Sequence, residues 1–382
     1  MAEHSLLSPS SAPRWMLCPG SVAASAVYPD TTSEYAEEGA LAHRYAAALL
    51  TGEPFAESAK LTREMTDAVG VYVQTVDTMS QGAEMVWIEE PLDLSRVLGV
   101  ADEKGTGDFI ALIGTELQVH DLKYGKGVPV DAEGNWQLIL YGLGALDLVT
   151  LVADVATVRL VIHQPRLNSV SEVVYTIDEM NAFQDRLRLG AGKALSCLKG
   201  EKPFEGRVPG EKQCKFCAAK ADCPELAATC ASVVDDFDVL DGERTIRASK
   251  MDNLAKHYAL LPLVKLWAKA VEDAAFDRML AGEQMPGFKL VAGRAGARAW
   301  DNEEQAEEMM KSMRLKVDEM YDRKLISPTK AEALLSKVSP GKWTRLQSCV
   351  TRSDPKPAVV PESDKRPALV MSAVADDFES LV

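Results

Sequence analysis

Apolar and polar positions change period several times along the chain. From Ser33 to Leu50, Ala and Leu recur at helical spacing behind a serine suited to cap a helix. A second helical pattern covers 61–80. Three short runs follow with strand character: 84–88 (EMVWI), 107–113 (GDFIALI) and 116–123 (ELQVHDLK), the last two joined by a tight turn at Gly114 and Thr115. Residues 136–149 (WQLILYGLGALDLV) form a long apolar helix. Residues 157–163 (TVRLVIH) read as a buried strand closed by Gln164 and Pro165, and 177–198 as a further helix. The first thirty residues, rich in Ser, Pro and Ala, show little periodicity. The order of helix, three strands, helix and strand predicts an α/β domain with helices on both faces of a mixed sheet.

The remainder is more broken. Residues 201–230 read as a loop punctuated by Gly, Pro and Lys, and 245–283 as one long helix or a pair. A hairpin is expected at 288–300 and two acidic helices at 303–322 and 328–337. From 353 the composition turns to Pro, Asp, Ser and Lys, the signature of a disordered tail. The expected division is therefore a domain over 1–230, a mostly helical region over 231–352 and a tail over 353–382. No internal repeat is visible.

With 382 residues, 47% hydrophobic and 26% charged, the chain is long enough for about two domains and excludes disordered, collagenous and disulfide-dense classes. No stretch approaches the ~18 apolar residues of a membrane span, and no partner membrane is expected. The opening MAEHSLLSPSSAPRW lacks a basic segment followed by an apolar one, so a cytoplasmic location is expected. There, cysteines are more often metal-bound or catalytic than disulfide-bonded. A net charge of −15 argues against a nucleic-acid partner, although net charge does not fix the local potential of a cleft.

Two constellations carry chemistry. Cys214, Cys217 and Cys223 place two thiols two residues apart and a third six residues on, a spacing suited to one metal centre. Cys230 and Cys18 are both candidates for a fourth ligand, and the spacing alone fits zinc or an iron–sulfur cluster. Cys197 and Cys349 read as packing thiols. The second constellation is polar: His43 one turn after Gly39 on a helix, Asp108 in GTGD, Asp121 and Lys123 on one face of a strand, and Gln137 and Tyr141 on one face of a helix. If the strands bearing Asp108 and Asp121 pair as a hairpin, the two carboxylates fall at one sheet edge. With the imidazole they suit Mg²⁺ or Mn²⁺, and Lys123 would face a scissile phosphate.

In this order the motifs GxxxH, GxxD, (D/E)xK and QxxxY resemble the RecB-type branch of the PD-(D/E)xK nucleases. Some members of that branch, those of CRISPR adaptation and of AddB-type helicase–nucleases, carry an iron–sulfur cluster on one early cysteine and a later CxxCx5C. The resemblance covers about residues 8–230. It implies a restriction-endonuclease-like core, a mixed sheet flanked by helices, with a mostly helical C-terminal region. It also implies a metal-dependent DNA exonuclease acting in phage recombination or replication. His43, Asp108, Asp121 and the Leu122 carbonyl would hold Mg²⁺ or Mn²⁺, Lys123 would orient the water, and Gln137 and Tyr141 would position DNA and Lys123. Cys18, Cys214, Cys217 and Cys223 would hold a structural 4Fe–4S cluster, with zinc the second choice. LLSPSSAPRWMLCPGS, SEYAEEGALAH and KRPALV further resemble a phage and prophage family without an assigned activity. One departure is Asp121, where Glu is commoner.

Two other classes remain: a non-catalytic DNA-binding or assembly protein on a degenerate nuclease fold, and a zinc-containing regulatory protein. Lys212, Lys215 and Lys220 beside the cysteines, and Lys289, Arg294 and Arg298 in the 288–300 segment, are candidate DNA contacts. The acidic and apolar end of the tail suits docking to a single-strand annealing or single-strand-binding protein.

Overall fold

Caps and apolar stripes set the helices, and β-branched runs set the sheet. The computed structural model describes residues 5–29, 34–150, 152–200, 206–235 and 251–289, with a few isolated positions between 332 and 344. The chain divides into two compact units, 1–291 and 292–382, and the elements below belong to the first. They are α1 (Ala12–Leu17), α2 (Gly20–Ser25), α3 (Glu34–Thr51), α4 (Arg63–Met79), β1 (Met85–Asp93), α5 (Ser95–Leu98), β2 (Lys104–Ile113), β3 (Glu116–Leu122) and α6 (Trp136–Val149). There follow β4 (Thr157–Gln164), β5 (Ser169–Thr176), α7 (Ile177–Leu198), α8 (Glu211–Lys215), α9 (Pro224–Asp235) and α10 (Met251–Leu280).

The sheet runs β1-β2-β3-β4-β5, parallel between β3 and β4 and antiparallel elsewhere. Side chains alternate across it. Ile110, Leu112, Leu117 and Val119 join the core that includes α6 and α7. Phe109, Ala111 and Leu122 join a second core with Ala42 of α3 and Val69 and Tyr72 of α4. The chain is thus an α/β fold with a five-stranded mixed sheet between helical layers, consistent with a nuclease-like core. Asn135 accepts from the Leu138 amide at 3.1 Å, capping α6, and Thr176 with Glu179 forms a capping box on α7. Gly142 lets α6 lie close to the sheet: a Cβ there would come to 2.9 Å from Leu160 Cδ2 and 3.0 Å from Met180 Cε.

Several expectations are corrected. The segment before residue 30 contains α1 and α2, held by burial rather than periodicity: Trp15 and Leu7 are fully buried. Residues 169–176 form an unexpected edge strand, β5. Its SVSEVVYT alternates half-exposed and exposed positions up to the buried Tyr175, so it lacks the apolar run that marks β4. β1 continues past residue 88 through Glu89, Glu90 and Pro91, and β2 begins at Lys104, so Asp108 lies well inside its strand. The cysteine segment is not simply a loop but carries α8, a 3₁₀ turn and α9. α10 is one helix with Pro262 inside it. It packs on α8 and α9, where Leu263 meets Leu226, Cys214 and Cys230. The expected boundary after 230 therefore precedes a helix that packs on the cysteine segment. Arg294, Arg298, Cys349, both acidic helices and the tail lie outside the described residues, apart from isolated positions; Phe288 and Lys289 are described and exposed. Among the described residues no helix is long and apolar enough to cross a membrane.

Candidate metal centre

The hairpin register creates the site. β2 and β3 pair Phe109 with His120, so one step further sets Asp108 opposite Asp121. β1 and β2 pair Ile88 with Phe109 and Glu90 with Gly107, which sets Glu89 opposite Asp108 on the other side. Three strands therefore bring three carboxylates into one row. Like charges in such a row repel, so it persists only where something else compensates.

His43 of α3 closes the row. Its Nδ1 lies 3.3 Å from Asp108 Oδ1 and 4.0 Å from Glu89 Oε1. Among the described residues, His43, Glu89 and Asp108 are the one group of three or more His, Cys, Asp or Glu whose ligand atoms all fall within 4.8 Å of one another. The other Asp108 oxygen is fixed by the Leu122 amide, which donates to it at 2.7 Å. Burial disfavours charge on His43, but the Asp108 carboxylate, helped by Asp121 and Glu89, holds its pKa up at about 9. Burial, with the Asp108 charge added, pushes Glu89 up to about 7, against the opposing pull of His43. Asp121, 3% exposed, is pushed up by burial and pulled back by Lys123.

A second chain of contacts extends from Asp121. Lys123 Nζ donates to Asp121 Oδ1 at 3.0 Å and lies 2.7 Å from Oδ2, without an aligned hydrogen bond to that buried oxygen. The same ammonium donates to Gln137 Oε1 at 3.0 Å, and Gln137 Nε2 donates to the Tyr141 hydroxyl oxygen at 3.1 Å. Lysine only donates, so the amide orientation is forced and the tyrosine proton is left to point elsewhere. Burial keeps that phenol protonated, its pKa well above the usual tyrosine range. Gly105 makes room for it: a Cβ there would meet Tyr141 Cε1 at 3.0 Å. The glycine before His43 differs. A Cβ on Gly39 would meet nothing within 4 Å.

The six polar residues expected from the sequence thus share one region, in two linked groups: His43 with Asp108, and Asp121 with Lys123, Gln137 and Tyr141. Leu122 enters through its amide. Glu89 was not anticipated, though the pair Glu89 and Glu90 in front of Pro91 is a faint signal. Its backbone, at φ 50°, is in the left-handed region. Arg166 was also missed. Its guanidinium reaches Glu38 of α3 and Glu64 of α4 at 3.3 and 3.2 Å and lies 4.4 Å from the Tyr124 ring centre, tying the His43 helix to the sheet.

The donor set fits a hard divalent cation, with carboxylate oxygens, one imidazole and a buried Asp121 oxygen lacking a hydrogen-bond donor. Behind the sheet face His120 and His163 form a buried pair, Nδ1 to Nε2 at 2.9 Å, with Gln118 Oε1 3.2 Å from His120 Nε2. Burial holds both imidazoles neutral, at about 3 and about 4.

The cysteines form a separate site. Cys18, Cys214, Cys217 and Cys223 line one small cavity with Arg207 and Gln213. The Val208 amide donates to Cys18 Sγ at 3.3 Å and the Gly210 amide to Cys214 Sγ at 3.5 Å. The cavity joins the N-terminal segment to the chain after α7, where the Gly20 amide donates to the Gly206 carbonyl at 2.8 Å. Burial raises the thiol pKa of Cys18, Cys214 and Cys223. No three of these sulfurs lie within 4.8 Å of one another among the described residues. Cys230 packs beside Leu226 and Leu263, and Cys197 is buried in α7.

A family model described as a protein of unknown function, DUF2800, matches residues 4–367. The chain belongs to the DUF2800 family. The match takes in both sites described above, so the carboxylate row and the cysteine cavity both lie within the DUF2800 region.

Proposed function

We propose that this DUF2800 chain is a divalent-metal-dependent deoxyribonuclease of the PD-(D/E)xK kind. The observation that carries the reading is the single contact chain Asp121, Lys123, Gln137 and Tyr141, set beside His43, Glu89 and Asp108 by the register of three strands. A solvated strand edge has no reason to hold a lysine between a buried carboxylate and an oriented amide.

His43, Asp108, Asp121 and the Leu122 carbonyl, joined by Glu89 beside His43 and Asp108, would hold Mg²⁺ or Mn²⁺, which when bound supplies Lewis-acid stabilisation of phosphate oxygens and lowers the pKa of a water molecule. The protein's own groups do the rest. Lys123 brings a fixed positive charge to the place where negative charge develops, already aimed by Asp121 and Gln137, so little reorganisation is needed. Tyr141, protonated and with its proton uncommitted, is placed to donate to a phosphate oxygen. Arg166 holds α3, and so His43, in register with the strands.

The cysteine cavity supports a structural cluster as the second cofactor. Buried thiols with backbone amides aimed at two sulfurs fit metal-bound thiolates, and loading must displace their protons. Zinc is the second choice. A tetrahedral zinc–thiolate site needs its sulfurs about 3.8 Å apart, whereas no three of these lie within 4.8 Å of one another among the described residues. Bound there, a cluster would tie α1 and α2 to the end of the core.

End-labelled linear and circular DNA, single- and double-stranded, should be cut with Mg²⁺ or Mn²⁺, and Lys123→Ala should fold normally and not cut. Full activity in Lys123→Ala overturns the site assignment, and binding without cutting by the unaltered chain favours an assembly role.

A further inference from the structure

The cysteine segment displays an aromatic ring that neither site uses. Phe216 stands between Cys214 and Cys217, both buried, and is itself 76% exposed. Its position is imposed by its neighbours. The Cys217 amide donates to the Cys214 carbonyl at 3.2 Å, and Arg14 Nη1 donates to the Phe216 carbonyl at 2.9 Å. The backbone is therefore anchored on both sides while the ring faces water, although burying such a ring is normally favourable.

Positive charge gathers at the same place. Lys215 Nζ lies 5.3 Å from the Phe216 ring centre, and Lys220 Nζ donates to the Lys215 carbonyl at 3.2 Å. Lys212 is exposed on α8, one turn before Phe216. Nearby acids are largely engaged: Asp222 with Tyr28 and Arg278, and Glu225 with Arg207 and the Cys223 thiol. Among the described residues, Glu211 stands exposed beside Lys212, and Asp222, though engaged, is exposed as well. In a chain of net charge −15 this is a local reversal of sign.

A held ring flanked by ammonium groups matches a ligand that alternates flat π-faces with anions. We propose that Phe216, with Lys212, Lys215 and Lys220, is a stacking platform for single-stranded DNA. A single strand is favoured over a duplex because its bases can leave their neighbours and stack on a side chain. The proposal deepens the nuclease reading and rests on it for the choice of nucleic acid as partner.

The test is equilibrium binding by the full-length protein, without added divalent ion, to a single-stranded oligonucleotide carrying 2-aminopurine. Binding should quench or shift the 2-aminopurine emission. Phe216→Ala should weaken it between about fivefold and about a hundredfold, and Phe216→Trp should restore it. Lys215→Gln should lower the salt dependence by about one phosphate contact. Unchanged melting temperature and circular dichroism would show that the exposed substitutions leave the fold intact. Equal affinity in Phe216→Ala, equal preference for duplex, no oligonucleotide binding, or full displacement by oligoglutamate would each overturn the platform. Phe216-dependent binding without cleavage in Mn²⁺ would keep the platform and overturn the nuclease reading, whereas cleavage indifferent to Phe216 would do the reverse.

Discussion

Replacing Glu89 by alanine, and separately by glycine, divides two features that this position combines: a carboxylate beside Asp108 and His43, and a backbone at φ 50°. Left-handed backbone costs an L-residue about 1–2 kcal/mol, which alanine retains and glycine does not. Glycine in turn loses more chain entropy on folding, about 0.5–1 kcal/mol. The glycine variant should therefore be the more stable by about 0.5–1 kcal/mol. For a unit of this size, that is roughly 1–4 °C in melting temperature. Removing the charge relieves the same repulsion from Asp108 in both variants, so it cancels in the difference.

The carboxylate is read by a different assay. If Glu89 is a ligand, both variants should bind Mn²⁺ at least about tenfold more weakly than the unaltered chain in calorimetry, since losing even a ligand's supporting partner has effects of about that size. Metal should accordingly raise their melting temperature less. Strain without metal affinity would make the φ value a local accident of the β1 edge. Equal melting of the two variants, or Mn²⁺ affinity untouched in both, refutes the argument that the strained backbone is kept for its carboxylate.

Other consequences follow from the same structure. His120 and His163 stay neutral when folded down to about 3 and about 4 but take up protons near pH 6.5 when unfolded. Stability should thus be unaffected by the pair above about pH 6.5 and fall below it, each histidine contributing a slope of up to about 1.4 kcal/mol per pH unit; His163→Phe should remove half of that slope in denaturant titrations between pH 4 and 6.5, and an unchanged slope would refute it. Cys217→Ser should give protein that does not absorb in the visible and is poorly soluble, because a cross-link from Cys18 to Cys214 closes a long loop and contributes on the order of 5 kcal/mol in the entropic model; a colourless, folded, fully active product would sink the structural cluster. Gly142→Ala should cost about 1–3 kcal/mol by overpacking against Leu160 and Met180. Gly39→Ala, in open space on α3, should stabilise by up to about 1 kcal/mol; thermal melts of the two should move in opposite directions.

Legibility followed the physics of each element. α6 was readable to its ends because Asn135 caps a long, mostly apolar run, and β4 because both its faces are largely buried. β5 was missed because an edge strand alternates and shows no run. α1 and α2 were missed because helices this short owe their existence to packing, here the burial of Trp15, not to propensity. Each polar residue of the candidate site is a weak signal by itself, and only their joint order along the chain, helix, strand, strand and helix, points to one region, where the structure does bring them together. Glu89 was not legible, since nothing in its neighbours predicts a left-handed residue, and its place opposite Asp108 exists only once β1 is paired.

That difference bears on the charge. A chain of −15 is a poor collector of DNA from a distance, and a row of carboxylates on three strands makes its cleft poorer still. Lys123 alone does not reverse this, being paired to Asp121. A metal-free site should therefore repel a phosphate, and a loaded one should accept it, because a divalent ion inverts the local field. On the proposed nuclease reading, DNA would be admitted only by the metal-loaded site, while initial capture would fall to lysines placed elsewhere. On that division of labour the Phe216 platform would hold the strand in the absence of metal, and the carboxylate row would engage it only in the presence of metal. DNA binding without metal should then be weak, salt-sensitive and dependent on Phe216, and added Mn²⁺ should strengthen it in the unaltered chain, but in Glu89→Ala only at concentrations at least about tenfold higher.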